Sequence, residues 1–201
     1  FRRVLFRSPG FDEKFSREAP ALVFPASIER RGSDSNNQQK TRAAGVTVYG
    51  CDDRLWKGGP LDTQGLPAAT ADGIVLNSRL ADELRAKVGD SITVWVELPS
   101  TIPRDSLLGG KEGPSSQELR LKVEGILPAD VIAGRFSLQP SQQFPKVAFV
   151  DLHALQKSLE LEAVEPSKRN PVRKPARVNA LFVSVGESLR DSHSFGTWST
   201  I

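Results

Sequence analysis

Methionine is absent from all 201 residues, position 1 included; a chain of that length with no initiator reads as a piece of something longer. Cysteine occurs once, at Cys51, which excludes an internal disulfide and leaves the redox compartment unread. Histidine occurs twice, at His153 and His193, so a Cys/His metal site would lack ligands at metal spacing. Long apolar runs are missing too. The longest have four or five residues, as in Val147–Val150, where a bilayer-spanning helix needs about 20. Net charge is the last absence. Lys and Arg total 27 against 24 Asp and Glu, but Arg2, Arg3 and Arg7 sit in the opening FRRVLFRS and the remainder is balanced. That octapeptide reads as an adapter-derived leader, and without it nothing argues for nucleic acid.

What remains is ordinary globular material, 38% apolar and 25% charged. Ala19–Ile28 is apolar but broken by Pro20 and Pro25, which favours an extended segment over a helix. Val46 and Val48 alternate in AGVTVYGC and predict a strand. Gly73–Leu76 is a short buried strand, with Asn77 or Ser78 as the cap of a following helix. Leu80, Leu84 and Val88 give that helix one apolar stripe, and Gly89 supplies its left-handed end. SITVWVEL then alternates Ile92, Val94 and Val96. ELRLKVEGIL is a long strand with Gly125 as a bend or bulge. Val147–Val150 is another buried strand, and Asp151 caps a helix carrying Leu152, Leu155 and Leu159. Val178–Val185 closes with a strand. Residues 99–116 form a Pro/Gly/Ser-rich excursion, 165–177 a basic, Pro-rich exposed linker, and no repeat of 20–50 residues is visible.

This order of elements predicts an α/β (α+β) domain: a mixed β-sheet with packed helices, as one unit or two subdomains. Residues 1–18 are leader and lead-in, 19–185 the domain, and 186–201 an irregular, truncated tail. Val46, Val48, Ile74, Leu76, Leu80, Leu84, Ile92, Val94, Leu121, Val123, Val147, Phe149 and Leu155 are the expected core.

The chemistry-bearing residues are few. GxSxG, GxGxxG, the P-loop, HExxH and CxxC are all absent. Asp52-Asp53 could form an acid pair, with Asp62 the next acidic neighbour, but adjacent turn residues point apart and a solvated turn is the simpler reading. Asp151 reads as a cap and His153 as a surface histidine with no identified nucleophile. Cys51 reads as a core thiol. Lys168, Arg169, Arg173, Lys174 and Arg177 could touch phosphate or anionic lipid, yet interleaved prolines favour a solvated linker. Trp56, Trp95 and Phe136 are recognition candidates whose default is the core. The expected site inventory is therefore empty: no catalytic, cofactor-binding or metal residue, and no cofactor.

The ordered segments GVTVYGCDDRLW, GIVLNSRLADELRAKVGDSITVWVEL, ELRLKVEGILPAD and KVAFVDLHALQKSL resemble the MacB-like periplasmic core domain, the extracytoplasmic domain of FtsX/MacB-type ABC transporter permeases. Val46–Asp52, Ile74–Leu84, Val88–Val94 and Leu121–Ile126 carry the likeness, the LNxxLAxxL…VGD run most specifically. The resemblance implies a non-catalytic domain on the periplasmic side of the inner membrane. It would couple ATP hydrolysis by a cytoplasmic ABC ATPase subunit to transport, extraction or partner activation. It also implies a permease dimer and an extracytoplasmic adaptor or substrate protein as partner, with no nucleic acid. Two other classes stay open: a stand-alone binding module built on a small barrel, suggested by VGDSITV followed by LRLKVEGI, and a hydrolase using Asp52, Asp53, Asp151 and His153.

Overall fold

The computed structural model describes residues 15–30, 40–56, 69–98, 116–138, 142–166 and 171–185. Its elements in chain order are β1 (Phe15–Arg30), β2 (Thr41–Cys51), α1 (Asp53–Trp56), β3 (Gly73–Asn77), α2 (Ser78–Leu84), β4 (Ser91–Glu97), β5 (Ser116–Leu127), a 3₁₀ turn (Ile132–Arg135), β6 (Val147–Asp151), α3 (Leu152–Ser158) and β7 (Ala180–Val185). Strands take 49% and helices 18% of these residues, and six strands close into a barrel. The expectation of an α/β sheet layered with helices is overturned. The order is β2-β6-β3-β5-β4-β1, with β1 returning to β2, and β7 extends the sheet beyond β1.

Two pairs, β2·β6 and β3·β5, are parallel, and the other barrel pairs are antiparallel. Exchanging β1, β2, β3 and α2 for β4, β5, β6 and α3 leaves this pattern unchanged. The barrel is thus two topologically equivalent halves, 15–84 and 91–158, and four of its six pairings (β1·β4, β2·β6, β3·β5, β3·β6) join one half to the other. The period exceeds the 20–50 residues at which repeats are usually sought.

Strand β1 tolerates two prolines because of where their missing donors fall. The Val23 N–H points away from β2, to the Asn179 side chain, so by alternation the Pro25 nitrogen points the same way. There, β1 lies between its β4 partners (Ala26–Arg30) and its β7 partners (Phe15–Ala21). The Pro20 nitrogen faces the other side, one residue beyond the Ala21↔Cys51 pair that ends β2. Neither proline removes a ladder bond. Asn179 fills the gap like a one-residue strand, accepting from Val23 N and donating to Val23 O, both at 2.8 Å.

Alternation sorts the side chains into two cores. Leu22, Phe24, Ala26 and Ile28 of β1 point inward with Val46, Val48, Ile74, Leu76, Ile92, Val94, Val96, Leu121, Val123, Ala148 and Val150, joined by Leu80 and Leu84 of α2 and Leu152 and Leu155 of α3. An extra β2 residue at the bulge, where Gly45 takes φ +66°, lets Ala43 and Val46 face the same interior. The expected bulge at Gly125 is present in the β3·β5 register. The second core lies outside the barrel wall: Tyr49, Cys51, Val75, Val147 and Phe149, covered by Leu55 and Trp56 of α1 and by Leu127 and Ala133. Phe149 anchors it, stacked on Tyr49 at 5.4 Å and meeting the Trp56 edge at 4.9 Å. Both cores together bury all thirteen residues expected from the sequence.

The two principal helices are short and built alike. Asn77 Oδ1 accepts from Leu80 N and Asp151 Oδ1 from Ala154 N, each capping three residues on. Each helix is closed by a left-handed non-glycine residue, Arg85 (φ 52°) directly after α2 and Glu160 (φ 55°) one residue past the Leu159 cap of α3. Ala86 N then bonds Ala81 O and Leu161 N bonds Gln156 O, both at 2.8 Å, the six-to-one closure of a Schellman end. Helix α2 thus stops before the stripe position Val88, which is 63% exposed, and Gly89 (φ +97°) belongs to the turn into β4.

Candidate functional site

Asn77, Gly89 and Asp90 of the run that carries the resemblance have structural work. Asn77 is 1% exposed and its amide makes four bonds. Oδ1 accepts from Leu80 N and Val147 N at 3.2 Å, and Nδ2 donates to Gly134 O at 2.9 Å and Pro145 O at 2.7 Å. That meets the full capacity of an amide and ties α2, β6 and the β5–β6 connection to one point. In the VGD turn, Gly89 N donates to Val123 O and Val123 N to Asp90 O. The Asp90 carboxylate accepts from Lys87 N at 2.9 Å and pairs with Arg30 at 3.4 Å. Arg30 Nε and Thr41 Oγ1 both donate to Leu84 O, closing the α2 C-terminus.

Cys51 and Asp151 are register partners at the carboxyl ends of the parallel strands β2 and β6, and the charges of Asp52 and Asp151 both bear on the Cys51 thiol. Their groups are committed elsewhere, however. Asp52 holds Arg54 at 2.5 Å and accepts from its N–H, and Asp151 caps α3. Asp53 and His153 are exposed. Burial pushes the Cys51 thiol far above its ordinary value, opposed by a hydrogen bond with Trp56 and reinforced by the charges of Asp52 and Asp151; a protonated thiol is a poor nucleophile and ligand. No group of three His, Cys, Asp or Glu side chains could hold a metal among the described residues. Every buried side-chain polar atom among those residues has a hydrogen-bond partner.

The basic stretch behaves differently from a free linker. Arg173 pairs with Glu165 at 3.1 Å, Lys174 forms a two-bond bridge with Val164, and Arg177 bonds Leu161 O through its N–H while its carbonyl accepts from Gln156. Residues 171–177 are stitched to the end of α3. Trp56 is core, as its default reading had it. Trp95 is half-buried with the Arg42 guanidinium 5.7 Å from its ring. Phe136 meets Tyr49 at 5.1 Å and Phe182 at 5.6 Å. Asp62, Lys168, Arg169, His193, the leader, the excursion up to residue 115 and the tail lie outside the described residues.

Within the β5–β6 connection, of which the sequence singles out only Phe136, Ile132 (71%), Leu138 (53%) and Phe144 (57%) are exposed apolar side chains. The connection is held by Asn77 and by a hydrogen bond between Leu138 and the Tyr49 hydroxyl, whose pKa burial raises. The usable signal was large apolar residues in a stretch with no period that could bury them. No family model and no curated protein matches the chain. The arrangement offers a rigid barrel with exposed apolar contact points and no assembled acid–base or nucleophilic pair among the described residues.

Proposed function

We propose that the chain is a non-catalytic docking and coupling domain, the extracytoplasmic core of an ABC transporter permease of the FtsX/MacB type, on the periplasmic side of the inner membrane. The observation that carries this reading is the pairing of Phe15 with Val185. The strand entering the fold and the strand leaving it are register partners, so the barrel hangs from a two-stranded stalk. A domain strung between two membrane helices needs its entry and exit side by side, and this geometry supplies them. The structural employment of the LNxxLAxxL…VGD residues supports the same reading, since the likeness rests on architecture and not on a reaction. In it, a cytoplasmic ABC ATPase subunit moves the membrane helices of a permease dimer, the stalk passes that motion on, and the barrel surface meets an adaptor or substrate protein. Coupling of this kind needs a packed element with two arrangements and no chemistry.

The coding sequence on both sides provides the first test: apolar segments of about 20 residues are expected to flank the stalk. Their absence overturns the permease reading. It would leave the stand-alone binding module, which the closed barrel favours because closure satisfies strand edges without a neighbour. In the membrane-embedded full-length protein with its ATPase, cysteines at the facing positions Ala19 and Phe182 would lock the stalk. Oxidation is expected to suppress transport while basal ATP hydrolysis persists, and unchanged transport would remove the stalk from the coupling path.

A further inference from the structure

We infer that the seam between the two halves of the barrel is a selective binding surface. Residues 15–84 recognise residues 91–158, of their own chain or of a second copy, and neither half accepts its like. This holds apart from the permease reading. The strand pairings of the halves repeat to the residue. Asn77 and Asp151 are equivalent caps, which makes Gly73 the counterpart of Val147 and Leu76 of Val150. Val147 lies opposite Thr47 and Gly73 opposite Lys122, so Thr47 matches Lys122. Their partners across the next pairing are Pro25 and Ser91, and three residues further on stand Ile28 and Val94. A two-fold relation requires those two to face each other, and they do, as do Val75 and Phe149. By backbone pairing alone, two like halves would close the same barrel. Side chains decide against it.

Two places on the seam make that decision. Helix α3 packs on β2, where Gly50 leaves room: a Cβ there would lie 2.6 Å from Leu155 Cδ2. At the equivalent place α2 packs on β5, with Ile126 the counterpart of Gly50 and Ala81 the counterpart of Leu155. Each unlike contact sets small against large. Two second halves would set Ile126 against Leu155, which is overpacked, and two first halves Gly50 against Ala81, which is hollow. The other place is Glu124, the extra residue of the β5 bulge. Its carboxylate accepts from Thr70 N at 2.8 Å and from Thr70 Oγ1, and it occupies the space that a Cβ on Gly73 would need. In a pair of second halves Val147 takes the Gly73 position, and its side chain collides with that carboxylate.

Val88, between the halves, is 63% exposed, so a protease recognition sequence inserted between Lys87 and Val88 opens the chain away from the paired strands. The complete 201-residue chain carrying that insertion is cut after folding. The halves are expected to stay together in gel filtration. After unfolding in urea and dilution, native mass spectrometry should find unlike pairs outnumbering like pairs at least about tenfold, where chance gives parity. Parity, or separation on cutting, overturns the inference. A second measurement keeps the chain uncut and needs no reassembly. Ala81→Leu and Ile126→Gly together recreate the Gly50–Leu155 contact at the equivalent place. The double variant should unfold at a higher urea concentration than the two single losses add up to. Strict additivity would show that the two positions do not fit each other, and overturns the inference as well.

Discussion

Replacing Asn77 should cost more than any other single polar change in the described fold. Asn77→Ala removes two acceptor bonds, to Leu80 N and Val147 N, and two donor bonds, to Gly134 O and Pro145 O. Each buried bond contributes about 1 kcal/mol net, and a backbone group left without a partner costs about 1–3 kcal/mol. The Leu80 N–H sits in a helix first turn, and Pro145 is only half-buried, so water can replace part of those two. The sum is a loss of about 3–4 kcal/mol, or roughly 6–16 °C in Tm for a domain of this size. Asn77→Asp separates the two kinds of bond. It keeps the acceptor but turns an oxygen toward two carbonyls, so its carboxyl is held protonated in the fold, above the unfolded value of about 3.9. A raised folded pKa gives stability that is full below the unfolded value and lost as pH rises. The Asp variant should therefore approach the wild type below about pH 4 and fall away toward neutrality. Urea unfolding followed by fluorescence of the core Trp56 would measure both. A loss under about 1 kcal/mol for the Ala variant, or a pH-independent penalty for the Asp variant, would refute the view that this amide clamps the connection.

Three further outcomes follow from the same geometry. A Cβ at Gly50 would lie 2.6 Å from Leu155 Cδ2 and 3.4 Å from Leu22 Cβ, so Gly50→Ala should destabilise by about 1–3 kcal/mol through overpacking, visible in the urea midpoint. Arg85→Gly should stabilise by roughly 0.5–1 kcal/mol, because relief of a left-handed φ of 52° outweighs the added chain entropy; calorimetry showing a loss would mean that the arginine side chain contributes more than its backbone costs. The Cys51 thiol should resist alkylation in the native state and react only on unfolding. Its raised pKa makes stability fall as pH climbs above the ordinary thiol value, and Cys51→Ser should flatten that alkaline limb in urea titrations.

The sequence announces local events better than closure. Caps at Asn77 and Asp151, the bulge at Gly125 and the inward positions of β4 and β5 are written in neighbouring residues, and each is where spacing puts it. Closure is a relation between β1 and β2 on one side and β4 on the other, and alternation is identical in an open and a closed sheet. The apolar runs of β3 and β6 misled for a physical reason. Strands buried on both faces ordinarily lie between helical layers, whereas here one face is the barrel interior and the other a small aromatic cluster around Phe149. Val88 kept the helical period on paper, but Arg85 ends α2 three residues earlier. Cys51 and Asp151 face each other at the strand ends through parallel β2·β6 pairing, which no short-range pattern signals, and the exposed apolar residues of the β5–β6 connection have no period to read.

The interlocking of the two halves has a consequence for the chain as it leaves the ribosome. The first half presents β1, β2 and β3, but of its barrel partnerships only β1·β2 can form before the second half exists. Strand β3 waits for β5 and β6, and β2 keeps an open edge until β6, ending at Asp151, has emerged. Synthesis at about 5–20 residues per second would leave these strands unpaired for several seconds, longer than many small domains need to fold. Native pairing thus waits for the second half of the barrel and carries costly loop closure. During that interval β3, GIVLN, is an uncharged strand with both edges bare, the segment most in need of a chaperone's cover.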